Sequence, residues 1–135
     1  MYTHVLVPVS FEDDRDAAGA MSVAQLLTGE GGRITLLHVM EQVPTYAISY
    51  TPQEYLVESR KAIDAELSEM ASRTPGAQGI VVDGHAGRTI TDWAEENAVD
   101  CIVIASHRPG MADLLLGSTA HQVVRHATCA VHVVR

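Results

Sequence analysis

Cys101-Ile-Val-Ile-Ala-Ser-His-Arg-Pro-Gly-Met-Ala-Asp-Leu-Leu-Leu-Gly-Ser-Thr119 is the stretch on which the reading of this chain turns. Its opening run, Ile102-Val-Ile104, is continuous and β-branched, the signature of a strand buried on both faces. The run breaks into Ser106-His-Arg-Pro-Gly110, small and cationic residues followed by a Pro-Gly turn signal. After a short apolar segment come Gly117-Ser-Thr119 and a helical pattern of Ala120, Val123, Val124 and Ala127. Ser118 or Thr119 is the expected N-cap, and Gly117 lets backbone approach a ligand closely. A strand, a cationic loop, a glycine and a helix start together make a setting in which backbone N–H groups hold phosphate. The stretch therefore reads as a nucleotide site on an open α/β sheet.

Working outward, the same alternation of strand and helix fills the chain. Val5-Leu-Val-Pro-Val9 is a first strand, with Pro8 expected at its carboxyl end because proline cannot donate to a ladder. Past the acidic turn Glu12-Asp-Asp14 a helix carries Ala17, Ala20, Met21, Ala24 and Leu27 on one side, and Gly29, Gly31 and Gly32 are expected to end it. Ile34 to Val39 is a second strand, and Glu41 to Thr51 has no clear period and reads as a long loop. A helix from about Pro52 to Arg73 follows, then a strand at Gly79 to Asp83, a turn at His85 to Arg88 and a helix carrying Ile90, Trp93, Ala94 and Ala98. The strand from Asp100 to Ala105 and a last strand, Ala130 to Val134, complete a parallel sheet with helices on both faces. In such sheets ligands sit at the carboxyl ends of strands where strand order reverses. That geometry gathers Pro8-Val9-Ser10, Val39-Met40 and Ala105 through Arg108.

Length and composition narrow the functions. One domain spanning residues 1–135 is expected, with a core burying about two-thirds of the unfolded surface. Nine Lys and Arg against 17 Asp and Glu give a formal charge of −8, which argues against nucleic acid and anionic membranes as partners. Against that background the pairs His107-Arg108 and Arg125-His126 stand out, the second reading as ordinary surface charge. Cys101 and Cys129 lack CxxC spacing and read as buried thiols in a reducing cytoplasm. No apolar stretch approaches a membrane span, so membrane insertion is not expected. The histidines show no metal spacing, so no structural metal is expected, and His38 reads as a satisfied histidine within an apolar strand. Met111 and Leu114 to Leu116 read equally as a lid over a nucleotide or as core. No Ser/His/Asp set, carboxylate pair or Walker lysine is identifiable, so catalysis beyond weak ATP hydrolysis is not expected.

The whole chain resembles the universal stress protein family. The marks are Val5-Leu-Val-Pro-Val9, Leu36-Leu-His-Val39, Gly84 with Ile90, and Ile102-Val-Ile-Ala-Ser-His-Arg-Pro109. Leu115-Leu-Gly-Ser118, Val123-Val-Arg-His-Ala127 and Val133-Val-Arg135 continue the series, and the Ser-His-Arg-Pro form is most similar to the F/G branch. The resemblance implies a five-stranded Rossmann-like three-layer sandwich of the adenine nucleotide alpha hydrolase-like kind, a homodimer and, as in many members, bound ATP; Glu12, Asp13 and Asp14 read equally as holders of Mg²⁺ with that ATP or as charge favouring the helix N-terminus. It implies a regulatory role in stress response, with ATP occupancy tuning conformation or the binding of an unidentified protein partner.

Site residues carry over by position. Pro8 and Val9 form the wall beside the base, Val39 meets the adenine edge through its backbone, and Ser10 stands where an acidic residue usually holds the nucleoside. The family's glycine motif has Gly, two residues, Gly, nine residues, Gly and then Ser or Thr. Here Ala105, Arg108 and Gly117-Ser118 occupy those positions, with eight residues between Arg108 and Gly117. Ala105 adds one methyl beside the ribose, and Arg108 puts a guanidinium where a backbone cradle stood. Ile104 and His107 complete the strand end, and Gly117, Ser118 and Thr119 match the phosphate-binding helix start. The resemblance also pairs the edge strand 130–134 antiparallel with its copy in a second subunit. Two rivals follow from the departures: a dimeric interaction module of the same family that binds no nucleotide, and a slow ATPase.

Overall fold

The computed structural model describes residues 1–11, 17–41, 53–106 and 117–135. Its elements are β1 (Tyr2–Pro8), α1 (Ala17–Leu27), β2 (Thr28–Met40), α2 (Gln53–Ser72) and β3 (Ala77–Asp83). They continue with α3 (Ala86–Glu96), β4 (Cys101–Ala105), α4 (Ser118–His126) and β5 (Ala130–Val134). The five strands form one parallel sheet, as the sequence predicts, and their order is β3-β2-β1-β4-β5. The chain steps outward from β1 to β2 and β3, then crosses to the other side of β1 for β4 and β5. Strand order therefore reverses between β1 and β4.

The unbroken apolar runs are explained by burial on both faces. Along β1, Val5 and Val7 enter a core shared with Ala20, Met21 and Ala24 of α1 and Leu67 and Ala71 of α2. Leu6, between them, enters the opposite core with Ile90 and Ala94 of α3 and Ala120 and Val123 of α4. Leu36 and Leu37 of β2 and Val103 and Ile104 of β4 divide in the same way. Registers Val5↔Ile34, Val5↔Cys101 and Leu6↔Ile102 align these layers across the sheet. Cys101 and Cys129 are unpaired and lie on opposite faces, and burial pushes the Cys101 thiol up to about 11.

Several local expectations need correction. Gly29, Gly31 and Gly32 do not end α1; they lie inside β2, which begins at Thr28. A register shift between Tyr2 and His4 admits this extra backbone, and at Gly32 a Cβ would fall against Thr28 and the Gly29 carbonyl. The segment expected as a turn at His85 to Arg88 is the first turn of α3, with His85 at its N-cap. Gly84, at φ 148, makes the bend before it in a conformation that favours glycine. Trp93 is only partly buried, and Val124 is exposed. Most of the expected loop at Glu41 to Thr51, the acidic turn 12–14 and Met111 with Leu114 to Leu116 lie outside the described residues.

The amino end of the sheet is closed by a polar network that sequence did not indicate. His4, 3% exposed, donates from Nδ1 to the Asn97 carbonyl at 3.1 Å. Its Nε2 accepts from the Thr35 hydroxyl at 2.8 Å. Its ring meets Trp93 edge-on at 5.9 Å. Burial lowers the His4 pKa, partly opposed by the Asn97 carbonyl. Beside it, Asp100 accepts from the Thr3 and His4 backbone N–H groups, each at 2.9 Å, and from the Thr3 hydroxyl at 3.1 Å. Burial pushes the Asp100 carboxyl up, but these hydrogen bonds together outweigh it and leave the pKa lowered.

Candidate functional site

At the carboxyl end, where β1 and β4 part, the sheet opens into a crevice of about 660 Å³. Its size falls in the range of small-molecule pockets, and its location is the switch point where open α/β sheets bind ligands. Pro8, Val9 and Ser10 line one side, Val39 another, and Ile104 with Ala105 the floor beside β4. Pro8 sits at the last ladder position of β1, opposite Leu37, so the chain is free to turn into the crevice there. The Val9 N–H then bonds the Leu37 carbonyl at 2.8 Å and ties the start of the loop to β2.

Ser118 and Thr119 form the remaining wall. The N-cap of α4 is Gly117, in an extended conformation, rather than Ser118 or Thr119, and no side chain among the described residues caps the helix. The reason is positional: Gly117 donates to the Ser106 carbonyl at 2.6 Å, and Ser106 in turn donates to Val134 at 2.9 Å. These bonds draw the helix start down onto the end of β4. Ser118 and Thr119 are thus inside the first turn, where backbone N–H groups lack intrahelical partners. The partial positive charge of that helix end faces the crevice, while Arg125 and His126 lie exposed at the far end, complementing the negative pole.

Of the residues singled out from sequence, Pro8, Val9, Ser10, Val39, Ile104, Ala105, Ser118 and Thr119 line this one crevice, and Gly117 stands immediately before it. His107 and Arg108 lie outside the described residues. Sequence reasoning missed Phe11, His38, Glu41 and Ala86, which also line it. Phe11, Glu41 and Ala86 follow the carboxyl ends of β1, β2 and β3, so extending each strand end by a few residues would have found them. His38 donates from Nδ1 to the Val9 carbonyl at 2.8 Å and packs its ring against Phe11 at 5.1 Å. That bond satisfies one ring nitrogen, and the residue is also part of the wall. Among the described residues no cluster of three metal-ligating side chains occurs, and no helix is long and apolar enough to cross a membrane.

An open, doubly wound parallel sheet with a crevice at its switch point and a helix start at the rim defines an α/β protein of the Rossmann-like class. The model of the universal stress protein family matches residues 1–135, and the chain belongs to that family. It is 28% identical over 142 residues to universal stress protein G of Escherichia coli O157:H7, covering the full length of both chains. It is similar to the solved structure of universal stress protein UspA from Lactobacillus plantarum, with TM-score 0.76, 26% identity, and coverage of 99% of this chain and 98% of that one. The same fold occurs in the universal stress protein from Archaeoglobus fulgidus in complex with dAMP, with TM-score 0.66, 19% identity, and coverage of 99% and 98%. A universal stress protein in complex with cAMP also shares it, with TM-score 0.63, 20% identity, and coverage of 99% and 97%.

Proposed function

We propose that this protein binds ATP in the crevice between β1, β2 and β4, and that occupancy tunes its conformation or its choice of protein partner in a stress response. The observation that carries this reading is the convergence of an apolar slot, Pro8, Val9, Val39 and Ile104, with the start of α4 at Ser118 and Thr119. An adenine ring needs the first, and a polyphosphate needs the second. Membership of a family in which other proteins hold dAMP and cAMP supports it.

In this reading Pro8 and Val9 flank the base, the Val39 backbone meets its edge, and Ala105 and Ser10 lie beside the ribose. Gly117, Ser118 and Thr119 present N–H groups to phosphate, with His107 and Arg108 supplying charge and Mg²⁺ accompanying the ATP. No base is assigned, so turnover is at most slow hydrolysis. Residues 1–135 act as one domain in the cytoplasm, and β5, which ends one side of the sheet, pairs with its copy to make a homodimer. ATP biases such a system only through a difference in affinity between its states.

The test is the nucleotide content of protein purified without added ligand, by acid release and chromatography. Stoichiometric ATP or ADP, reduced by Arg108→Ala, is the expected result. An empty protein that also fails to bind ATP with Mg²⁺ in calorimetry would overturn the reading in favour of a dimeric interaction module.

A further inference from the structure

His4 and His38 lie on neighbouring strands and use the same first bond. In each, Nδ1 meets a backbone carbonyl, of Asn97 for His4 and of Val9 for His38. A carbonyl only accepts, so Nδ1 carries the proton in both, and the neutral ring presents Nε2 as an acceptor. In His4 that acceptor is used by the Thr35 hydroxyl. In His38 it has no hydrogen-bond partner among the described residues, and the residue lines the crevice.

The imidazole is also held in place. The Val9 carbonyl takes the Nδ1 proton, the Val9 N–H is tied to Leu37, and the Phe11 ring lies against the imidazole at an interplanar angle of 58°. A ring oriented in advance loses little freedom on engaging a ligand, which favours a specific hydrogen bond over a loose contact. A half-buried acceptor from which a ligand displaces water must also be satisfied by that ligand, or it costs affinity.

Resting on the nucleotide reading of the crevice, we infer that His38, backed by Phe11, is a specificity residue whose Nε2 accepts a hydrogen bond from a donor on the nucleoside. The shared chemistry is an N–H or O–H group, and its two sources are the 6-amino group of adenine and a ribose hydroxyl. The inference gives this histidine a role in choosing the ligand, beyond holding the loop after β1.

His38→Asn separates the two roles, because the asparagine amide reaches the Val9 carbonyl from nearly the Nδ1 position while the Nε2 acceptor is lost. Calorimetry of wild type and variant is run with ATP, with purine riboside triphosphate, which lacks the 6-amino group, and with 2′-deoxy-ATP. The variant is expected to bind ATP roughly five- to tenfold more weakly. It should lose discrimination against purine riboside triphosphate if the amine is the donor, or against 2′-deoxy-ATP if the hydroxyl is. A folded variant that binds ATP as wild type does overturns the inference and leaves the nucleotide reading intact. A wild type that binds none of the three overturns the nucleotide reading itself. Should the variant fail to fold, ¹⁵N NMR of the wild-type imidazole decides: ATP is expected to move the His38 Nε2 resonance, and an unmoved one counts against the role.

Discussion

The two ends of the sheet are built from the same strands and do opposite things. At the amino end the polar groups of His4, Thr35, Asn97, Thr3 and Asp100 satisfy one another within the fold. At the carboxyl end β1 and β4 diverge and a crevice opens, and among the described residues α4 starts without a side-chain cap and His38 keeps one ring nitrogen without a hydrogen-bond partner. A closed network stabilises, since every buried donor and acceptor is matched. An open one is available to a ligand. The contrast sets a satisfied polar network against an open crevice along the strand direction, and with the proposed nucleotide site it predicts that substitutions at the two ends have separable effects.

The largest effect is expected from His4→Ala. It leaves a cavity and removes the partners of the Asn97 carbonyl and the Thr35 hydroxyl, so urea unfolding should report a loss of about 3 kcal/mol. ATP affinity of the folded fraction should not change; a large drop would break the separation. Thr119→Glu sharpens the contrast from the other end. A carboxylate in the first turn of α4 should raise stability by about 0.5 kcal/mol while weakening ATP binding roughly thirtyfold in calorimetry, because the charge favoured by the helix repels phosphate.

The amino end should also govern the acid response. The unfolded chain takes up a proton on His4 near its ordinary value of 6.5, whereas burial keeps the native ring neutral to lower pH. Unfolding is therefore coupled to proton uptake, and stability should fall as pH drops below 6.5 toward the lowered native value. The native Asp100 carboxylate likewise stays charged below its ordinary 3.8, so a second loss follows as pH falls through its lowered value. Urea titrations across pH should show the first decline in wild type and its absence in His4→Gln. The smallest effect is expected at the β3 edge, where Arg60 bridges both Asp83 oxygens at 2.9 and 2.8 Å and reaches the Val81 carbonyl at 3.3 Å. Both ends of that bridge are solvated, so Arg60→Ala should cost about 0.5 kcal/mol in the same assay.

What sequence made legible follows the range of the interactions involved. The cores of β1, β2 and β4 were readable because burial on both faces leaves a continuous apolar run, as at Ile102-Val-Ile104. The crevice wall at Pro8, Val9, Val39 and Ala105 was readable because strand ends and the switch-point rule locate it without side-chain detail. The glycines at 29, 31 and 32 misled because punctuation by glycine is local, whereas here Gly29 and Gly32 let the β2 backbone lie close to residues 1–3 and Gly31 takes a positive φ within the strand. The α4 cap was misassigned because Gly117 is held by the Ser106 carbonyl, a bond that depends on how the chain returns. The His4 network was invisible for the same reason: Asn97 and Thr35 lie far from it in sequence and meet it only in the folded sheet. His38 and His4 both lie on strands and both meet a carbonyl through Nδ1, and what becomes of the second ring nitrogen tells them apart.

The measurement that tests the account most directly is an amide NMR titration of the full chain with ATP and Mg²⁺. The account predicts saturable shifts at Val9, Phe11, Val39, Ala105, Ser118 and Thr119, with His4, Thr35 and Asp100 unmoved. Shifts confined to the amino end, or none at any ATP concentration, would contradict it.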